Sequence, residues 1–113
     1  MEGTIPYTKT TNKDRILNLY LDLNHMSAKL LNQSRTNAPG DIYFTFIEFR
    51  QLMFELYNSA HRYRNFNPEL KSEFRVWMGL NMPNRPTPKQ IRRSVELYNK
   101  AIDELVRIEV LEL

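Results

Sequence analysis

The sequence predicts an all-α fold, an up-and-down bundle of four helices in which the third helix is short. Apolar residues recur at spacings of three and four in four separate segments, which is the period of a helix with one buried face. Residues that cap helices stand before these segments. Proline and glycine residues lie between them, where we expect loops.

Residues 1–11 show no apolar period, and we expect them to form a flexible N-terminal arm. The remaining residues, 12–113, are predicted to form a single helical-bundle domain. Thr11 stands three residues before Asp14, a capping pattern that begins a helix. The apolar positions that follow are Ile16, Tyr20, Leu23, Leu30 and Leu31. We therefore predict a first helix over residues 12–33, ending before the Pro39-Gly40 pair.

The start of the second helix is ambiguous. Residues 41–47 are β-branched and aromatic, a composition that favours a strand. The capping pattern from Thr45 to Glu48 favours a helix instead, as does the regular repeat that follows it. The repeating positions are Phe46, Phe49, Met53, Leu56, Ala60 and Tyr63. We predict a second helix over residues 45–63, with Asp41 as an alternative start.

The last two helices each begin at a cap followed by proline, which is favoured at the first helical position. Asn67-Pro68 opens a short helix that ends near Gly79 and has Leu70, Phe74, Trp77 and Met78 on one side. Thr87-Pro88 opens a long helix whose apolar positions are Ile91, Val95, Tyr98, Ile102 and Leu105. The apolar tail, residues 107–113, is predicted to fray or to become extended, and to offer a contact surface.

Composition limits the class of protein. The 113 residues are 42% hydrophobic and 26% charged, as in an ordinary globular domain. Apolar runs are far shorter than the roughly 20 residues of a membrane span, and the first residues lack a secretory signal pattern. We therefore expect a cytoplasmic protein without a membrane partner. The chain has no cysteine, which excludes disulfides and thiolate chemistry.

Positive charge is concentrated in one part of the chain. Residues 61–93 contain eight basic and two acidic residues, whereas residues 1–60 are balanced and residues 94–113 are acidic. Such a segment is typical of a surface that binds an anionic partner, although it is also compatible with a solvated face that has no specific role. The candidate binding residues are Arg62, Arg64, Arg75, Arg85, Lys89, Arg92 and Arg93. Phe66, in the predicted turn between helices, is the candidate for stacking on a base.

The residue patterns of common catalytic and metal sites are missing. The chain has two histidines, His25 and His61, and three glycines, too few for a glycine-rich phosphate loop. His25 follows Asp22 by three residues, but a metal site in a helical bundle needs a second such pair. We therefore expect no enzyme activity, no metal and no cofactor.

The C-terminal part of the chain resembles the Avd family. The similarity covers residues 74–107 and rests on the segments Phe-Arg-Val-Trp-Met-Gly-Leu and Arg-Pro-Thr-Pro-Lys-Gln-Ile and on the long last helix. Avd proteins are accessory proteins of diversity-generating retroelements, related to four-helix bundles encoded within ribosomal RNA genes. The resemblance implies a basic, ring-shaped homo-oligomer that binds nucleic acid and a reverse transcriptase. The chain departs from the family in its short third helix and in lacking glycine near the end of the fourth.

Two functions remain open from the sequence. The first is a non-catalytic accessory protein that binds nucleic acid (RNA or DNA) or a ribonucleoprotein through the basic residues named above. The alternative is a protein-interaction module, such as an immunity, anti-defence or assembly-adaptor protein, that docks an acidic partner on the same surface. A steep dependence of affinity on salt is expected for the first function.

Overall fold

The computed structural model describes residues 11–36, 39–80 and 86–113, and these form four helices. They are α1 (Asn12–Thr36), α2 (Pro39–Ala60), α3 (Pro68–Gly79) and α4 (Pro88–Arg107). Neighbours along the chain pack together, and α4 returns to pack on α1. The predicted all-α four-helix bundle with a short third helix is therefore confirmed. The proposed arm lies outside the described residues, except for Thr11.

Three of the helix starts follow the predicted capping chemistry. The Thr11 hydroxyl accepts a hydrogen bond from the Asp14 amide at 3.1 Å. The Asn67 side chain accepts from the backbone amides of the first turn of α3. At α4, Thr87 and Gln90 form a complete capping box, each side chain accepting from the other residue's amide. These bonds satisfy donors that have no partner within the helix.

The predicted boundaries of α2 are wrong. Its helix begins at Pro39 rather than Thr45 and ends at Ala60 rather than Tyr63. Thr45 does not cap it: its hydroxyl donates to the Asp41 carbonyl one turn earlier, at 3.0 Å. A threonine inside a helix makes this bond, so its hydroxyl does not mark a start. The Pro39-Gly40 pair, read as a break, supplies the first residues of the helix because proline is tolerated there.

The core lies between the four helices and is centred on Phe49 of α2. This ring meets Trp77 of α3 edge-on at 6.3 Å between ring centroids and Tyr98 of α4 edge-on at 6.4 Å. The Tyr98 hydroxyl lies 2.7 Å from Asn24 Oδ1 and 3.0 Å from the Tyr20 carbonyl, both on α1. Burial, followed by the charge interaction with Tyr20, raises the pKa of Tyr98 above its ordinary value. The tyrosine therefore stays protonated and ties α4 to α1.

The chain after α4 packs back onto the bundle. The Glu109 and Val110 amides donate to the carbonyls of Val106 and Leu105 at 3.0 and 2.9 Å, and Glu109 has a φ of 64°. This is the bonding pattern of a Schellman turn, in which glycine usually takes the left-handed position. Val110 and Leu111 are buried. These two residues thus belong to the core, whereas Leu113 at the end of the tail is 69% exposed.

Candidate nucleic-acid or partner interface

A groove of about 750 Å³ runs between α3 and α4, and it contains part of the predicted basic site. The two helices are antiparallel, so the N-terminal end of α4 faces the C-terminal end of α3. We call this surface the α3–α4 groove. It is lined by Glu69, Ser72, Glu73, Val76, Trp77, Lys89, Arg92, Arg93, Glu96, Leu97 and Lys100.

Three of the predicted binding residues meet in this groove. Lys89, Arg92 and Arg93 all lie in the first half of α4 and are exposed. Within residues 11–36, 39–80 and 86–113 none of them forms an ion pair. These three cations make one end of the groove basic, which favours anionic groups at that end.

The other half of the groove is acidic. Glu69 and Glu73 come from α3, and Glu96 comes from α4. Glu73 accepts a hydrogen bond from Lys100 at 3.1 Å, and both side chains are about half exposed. An ion pair as exposed as this one contributes little stability. The groove therefore has a basic end and a mixed, partly neutralised centre.

The wall of the groove is anchored by a buried hydrogen bond. Trp77 Nε1 donates to Ser94 Oγ at 2.8 Å, and Ser94 Oγ donates to the Gln90 carbonyl at 2.7 Å. Val76, beside Trp77, is 58% exposed and gives the groove an apolar surface. The bond fixes α3 against α4 and so fixes the distance between the two sides of the groove.

The other predicted binding residues do not lie at the basic end of the α3–α4 groove. Arg62 and Arg64 are exposed in the turn before α3, where the neighbouring Asn65 carbonyl accepts from Arg107 at the far end of α4. Arg92 and Arg107 are 15 residues apart, about 22 Å along a helix. Arg75 is exposed on α3 but does not line the groove. Arg85 lies outside the described residues.

Phe66 was expected to be exposed, and this expectation is wrong. Its side chain is 1% exposed and belongs to the core. The turn from Ala60 to Pro68 folds over the end of the bundle, with the Phe66 amide donating to the Tyr63 carbonyl at 3.2 Å. Phe66 is therefore not available to stack on a base.

A buried carboxylate that sequence reasoning missed holds the other end of α4. Glu104 is 8% exposed and accepts from Arg107 Nε at 2.7 Å, from Arg107 Nη2 at 2.6 Å and from the Asn67 amide at 2.8 Å. The hydrogen bond from Arg107 is the main reason that the pKa of Glu104 lies below its ordinary value. A charged residue within the otherwise apolar stripe Leu97, Ala101 and Ile108 is the sequence signal for this network.

Neither histidine belongs to a group of three potential metal ligands in the described part of the chain. His61 stacks on Tyr57, with ring centroids 5.2 Å apart, and its Nδ1 lies 3.0 Å from the Tyr57 carbonyl. His25 lines a smaller groove with Asp22 and Glu48. No group of three potential metal ligands occurs among the described residues, and none of the described helices is long and apolar enough to cross a membrane.

The chain matches no protein-family model, and no curated protein or solved structure is significantly similar to it. The resemblance of residues 74–107 to the Avd family therefore stays a prediction.

Proposed function

We propose that this protein is a non-catalytic module that binds nucleic acid at the basic end of the α3–α4 groove. The observation that carries the proposal is the cluster of Lys89, Arg92 and Arg93, which are exposed on one groove and have no ion pair among the described residues. Two of the three are arginines, whose guanidinium groups form forked hydrogen bonds to phosphate.

Two basic regions, the groove cations and the turn before α3, are separated by a distance that an extended polyanion can span. Arg107, which donates to the Asn65 carbonyl in the turn that carries Arg62 and Arg64, lies about 22 Å from Arg92 along α4. That distance corresponds to about six base steps at 3.4 Å each. A nucleic-acid strand that contacts Lys89, Arg92 and Arg93 and extends along α4 would also contact the turn before α3. In this proposal Arg75 and Arg85 belong to the wider basic region.

The test is a binding titration of labelled RNA and single-stranded DNA at two salt concentrations. Arg92→Glu/Arg93→Glu should weaken binding at least tenfold and lower the slope of log affinity against log salt by about two, one for each lost phosphate contact. Lys13→Glu/Arg15→Glu is the matched control, since it makes the same charge change at exposed positions in the first turn of α1. No binding at low salt, or equal losses in both variants, would end the proposal.

A protein partner that carries acidic groups for the basic end and basic groups for the carboxylates is the second candidate, and the mixed charge of the groove favours it. Glu69 and Glu96 repel phosphate, whereas a protein segment can offer them cations and can cover Val76. Glu69→Gln/Glu96→Gln separates the two functions. It should strengthen binding of nucleic acid because a repulsion is removed, and it should weaken a protein partner that pairs with these carboxylates.

A further inference from the structure

The outer face of α2 has an apolar stripe that is separate from the α3–α4 groove. Phe44, Ile47 and Phe54 are 67%, 37% and 53% exposed, and exposed Gln51 lies between them. The four positions are spaced by three, four and three residues. At 100° per residue the stripe is centred about 180° from the buried face of α2. The stripe is exposed, and along one edge Ile47, Gln51 and Phe54 line a shallow groove with Trp77 and Met78 of α3.

The stripe is comparable in area to the largest apolar patch of a typical monomer, which is often functional. The two phenylalanines together expose about 240 Å² if each aromatic side chain has roughly 200 Å² of surface, and Ile47 adds to this area. A contiguous apolar patch of a few hundred Å² marks an interaction surface, whereas single exposed apolar residues do not. No charged residue occupies the stripe positions between Phe44 and Phe54.

The charges beside the stripe are complementary to those of a second copy. In heptad notation Phe44 and Gln51 occupy a positions, and Ile47 and Phe54 occupy d positions. Arg50 then falls at g and Glu55 at the following e, the two positions that pair across a parallel two-stranded coil. By symmetry, each Arg50 meets the partner's Glu55. In an antiparallel pair, g would face g and the two Arg50 side chains would repel each other.

The position of Arg50 supports this pairing. Its guanidinium donates to the carbonyls of Met78 and Leu80 at 3.3 and 3.5 Å and lies 5.8 Å from the centre of the Trp77 ring. In the described ranges it has no carboxylate partner. The cation is thus held between α2 and the C-terminal carbonyls of α3, at one edge of the stripe. Gln51 at an a position faces its own copy, where a polar residue selects an in-register pair.

We propose that two copies of this chain associate through α2, parallel and in register, with Phe44, Ile47 and Phe54 in the contact. The contact is smaller than the roughly 800 Å² per partner of a standard interface, so association is weak and reversible. This inference does not depend on the proposed function, because the stripe and the groove lie on different faces of the bundle.

Cross-linking through an introduced cysteine tests this arrangement, because the chain has no native cysteine that could form other disulfides. Gln51→Cys should form a disulfide-linked dimer on mild oxidation, because residue 51 faces its own copy in a parallel, in-register pair. Leu21→Cys is the control: Leu21 is 56% exposed on α1, outside the stripe. Equal cross-linking of the two variants would overturn the proposal.

Sedimentation measures the energetics of the same contact. Phe54→Glu should weaken self-association at least tenfold, whereas Leu21→Glu, at a similarly exposed apolar position, should leave it unchanged. Glu55→Lys should weaken self-association because it places a cation opposite Arg50 of the second copy. Glu48→Lys should not weaken it, because the g residue that faces Glu48 across the pair is Tyr43. Equal effects of the two lysine variants would reject the parallel pairing. A wild-type protein that stays monomeric up to millimolar concentration would overturn the proposal.

Discussion

Replacing Ser94 by alanine tests the hydrogen bond that holds α3 against α4. Ser94 is fully buried and Trp77 is 3% exposed, so water cannot replace the lost hydroxyl. In Ser94→Ala the indole N–H of Trp77, which donates to Ser94 Oγ at 2.8 Å, has no acceptor. The Gln90 carbonyl loses the hydrogen bond from the Ser94 hydroxyl but keeps its hydrogen bond within the helix.

The expected cost follows from the unpaired donor. A buried donor without a partner costs about 1–3 kcal/mol, and alanine returns about 0.5 kcal/mol through its higher helix propensity. The free energy of unfolding should therefore fall by about 1–2 kcal/mol, which lowers Tm by roughly 4–10 °C in a domain of this size. In a Trp77→Phe background the N–H is gone, and the same Ser94→Ala change should cost almost nothing.

Urea unfolding followed by far-UV circular dichroism gives the four free energies of this double-mutant cycle. The m value should stay constant, which shows that the extent of unfolding is the same in each variant. The coupling energy between the two positions should be about 1 kcal/mol or more. If Ser94→Ala costs the same in both backgrounds, the serine acts through packing and not through the indole.

Four further predictions concern α4 and its ends. Leu105→Ala should lower the free energy of unfolding by about 2–5 kcal/mol, because Leu105 is fully buried. Chemical denaturation measures this loss, and a loss under about 0.5 kcal/mol would place Leu105 outside the core. The pKa of Glu104 is lowered in the folded state from its ordinary value of 4.5, so its stabilisation is present above that pH and is lost as pH falls through the folded value. Unfolding free energies across pH should show Glu104→Gln less stable than wild type at neutral pH and the gap closing in acid; a gap independent of pH would contradict this reasoning. Glu109→Gly should raise stability by about 0.5–1 kcal/mol by removing a left-handed non-glycine residue, and an unchanged or lower Tm would refute that account. Lys89→Glu should raise stability by about 0.3–1 kcal/mol through the helix dipole while weakening nucleic-acid binding; binding unchanged in the same titration would remove Lys89 from the site.

The helices were predictable where local chemistry decides them. The caps at Thr11, Asn67 and Thr87 mark the starts of α1, α3 and α4 because each satisfies free backbone amides within its own turn. The start of α2 was not predictable in this way. Thr45 has a capping pattern in sequence, but its hydroxyl bonds one turn back inside a helix that tertiary packing extends.

The candidate site was only partly predictable, because it depends on how two helices face each other. Lys89, Arg92 and Arg93 are close in sequence and lie on one helix, so their clustering could be foreseen. Glu69 and Glu96 enter the same groove only through the antiparallel packing of α3 and α4. The sequence shows the basic residues as one segment, whereas the fold separates the turn before α3 from the start of α4 by about 22 Å.

The first turn of α4 links the stability of the bundle to the anion that it is proposed to bind. The first turns of α1, α2 and α3 each contain an acidic residue, which stabilises the positive end of the helix dipole. The first turn of α4 has none and is followed by two arginines, so its local electrostatics oppose the helix. The capping box of Thr87 and Gln90 and the buried face of α4 offset that cost. A bound phosphate would supply the negative charge that this turn lacks, so binding should also raise Tm, and the rise should shrink with the logarithm of the affinity as the salt concentration increases.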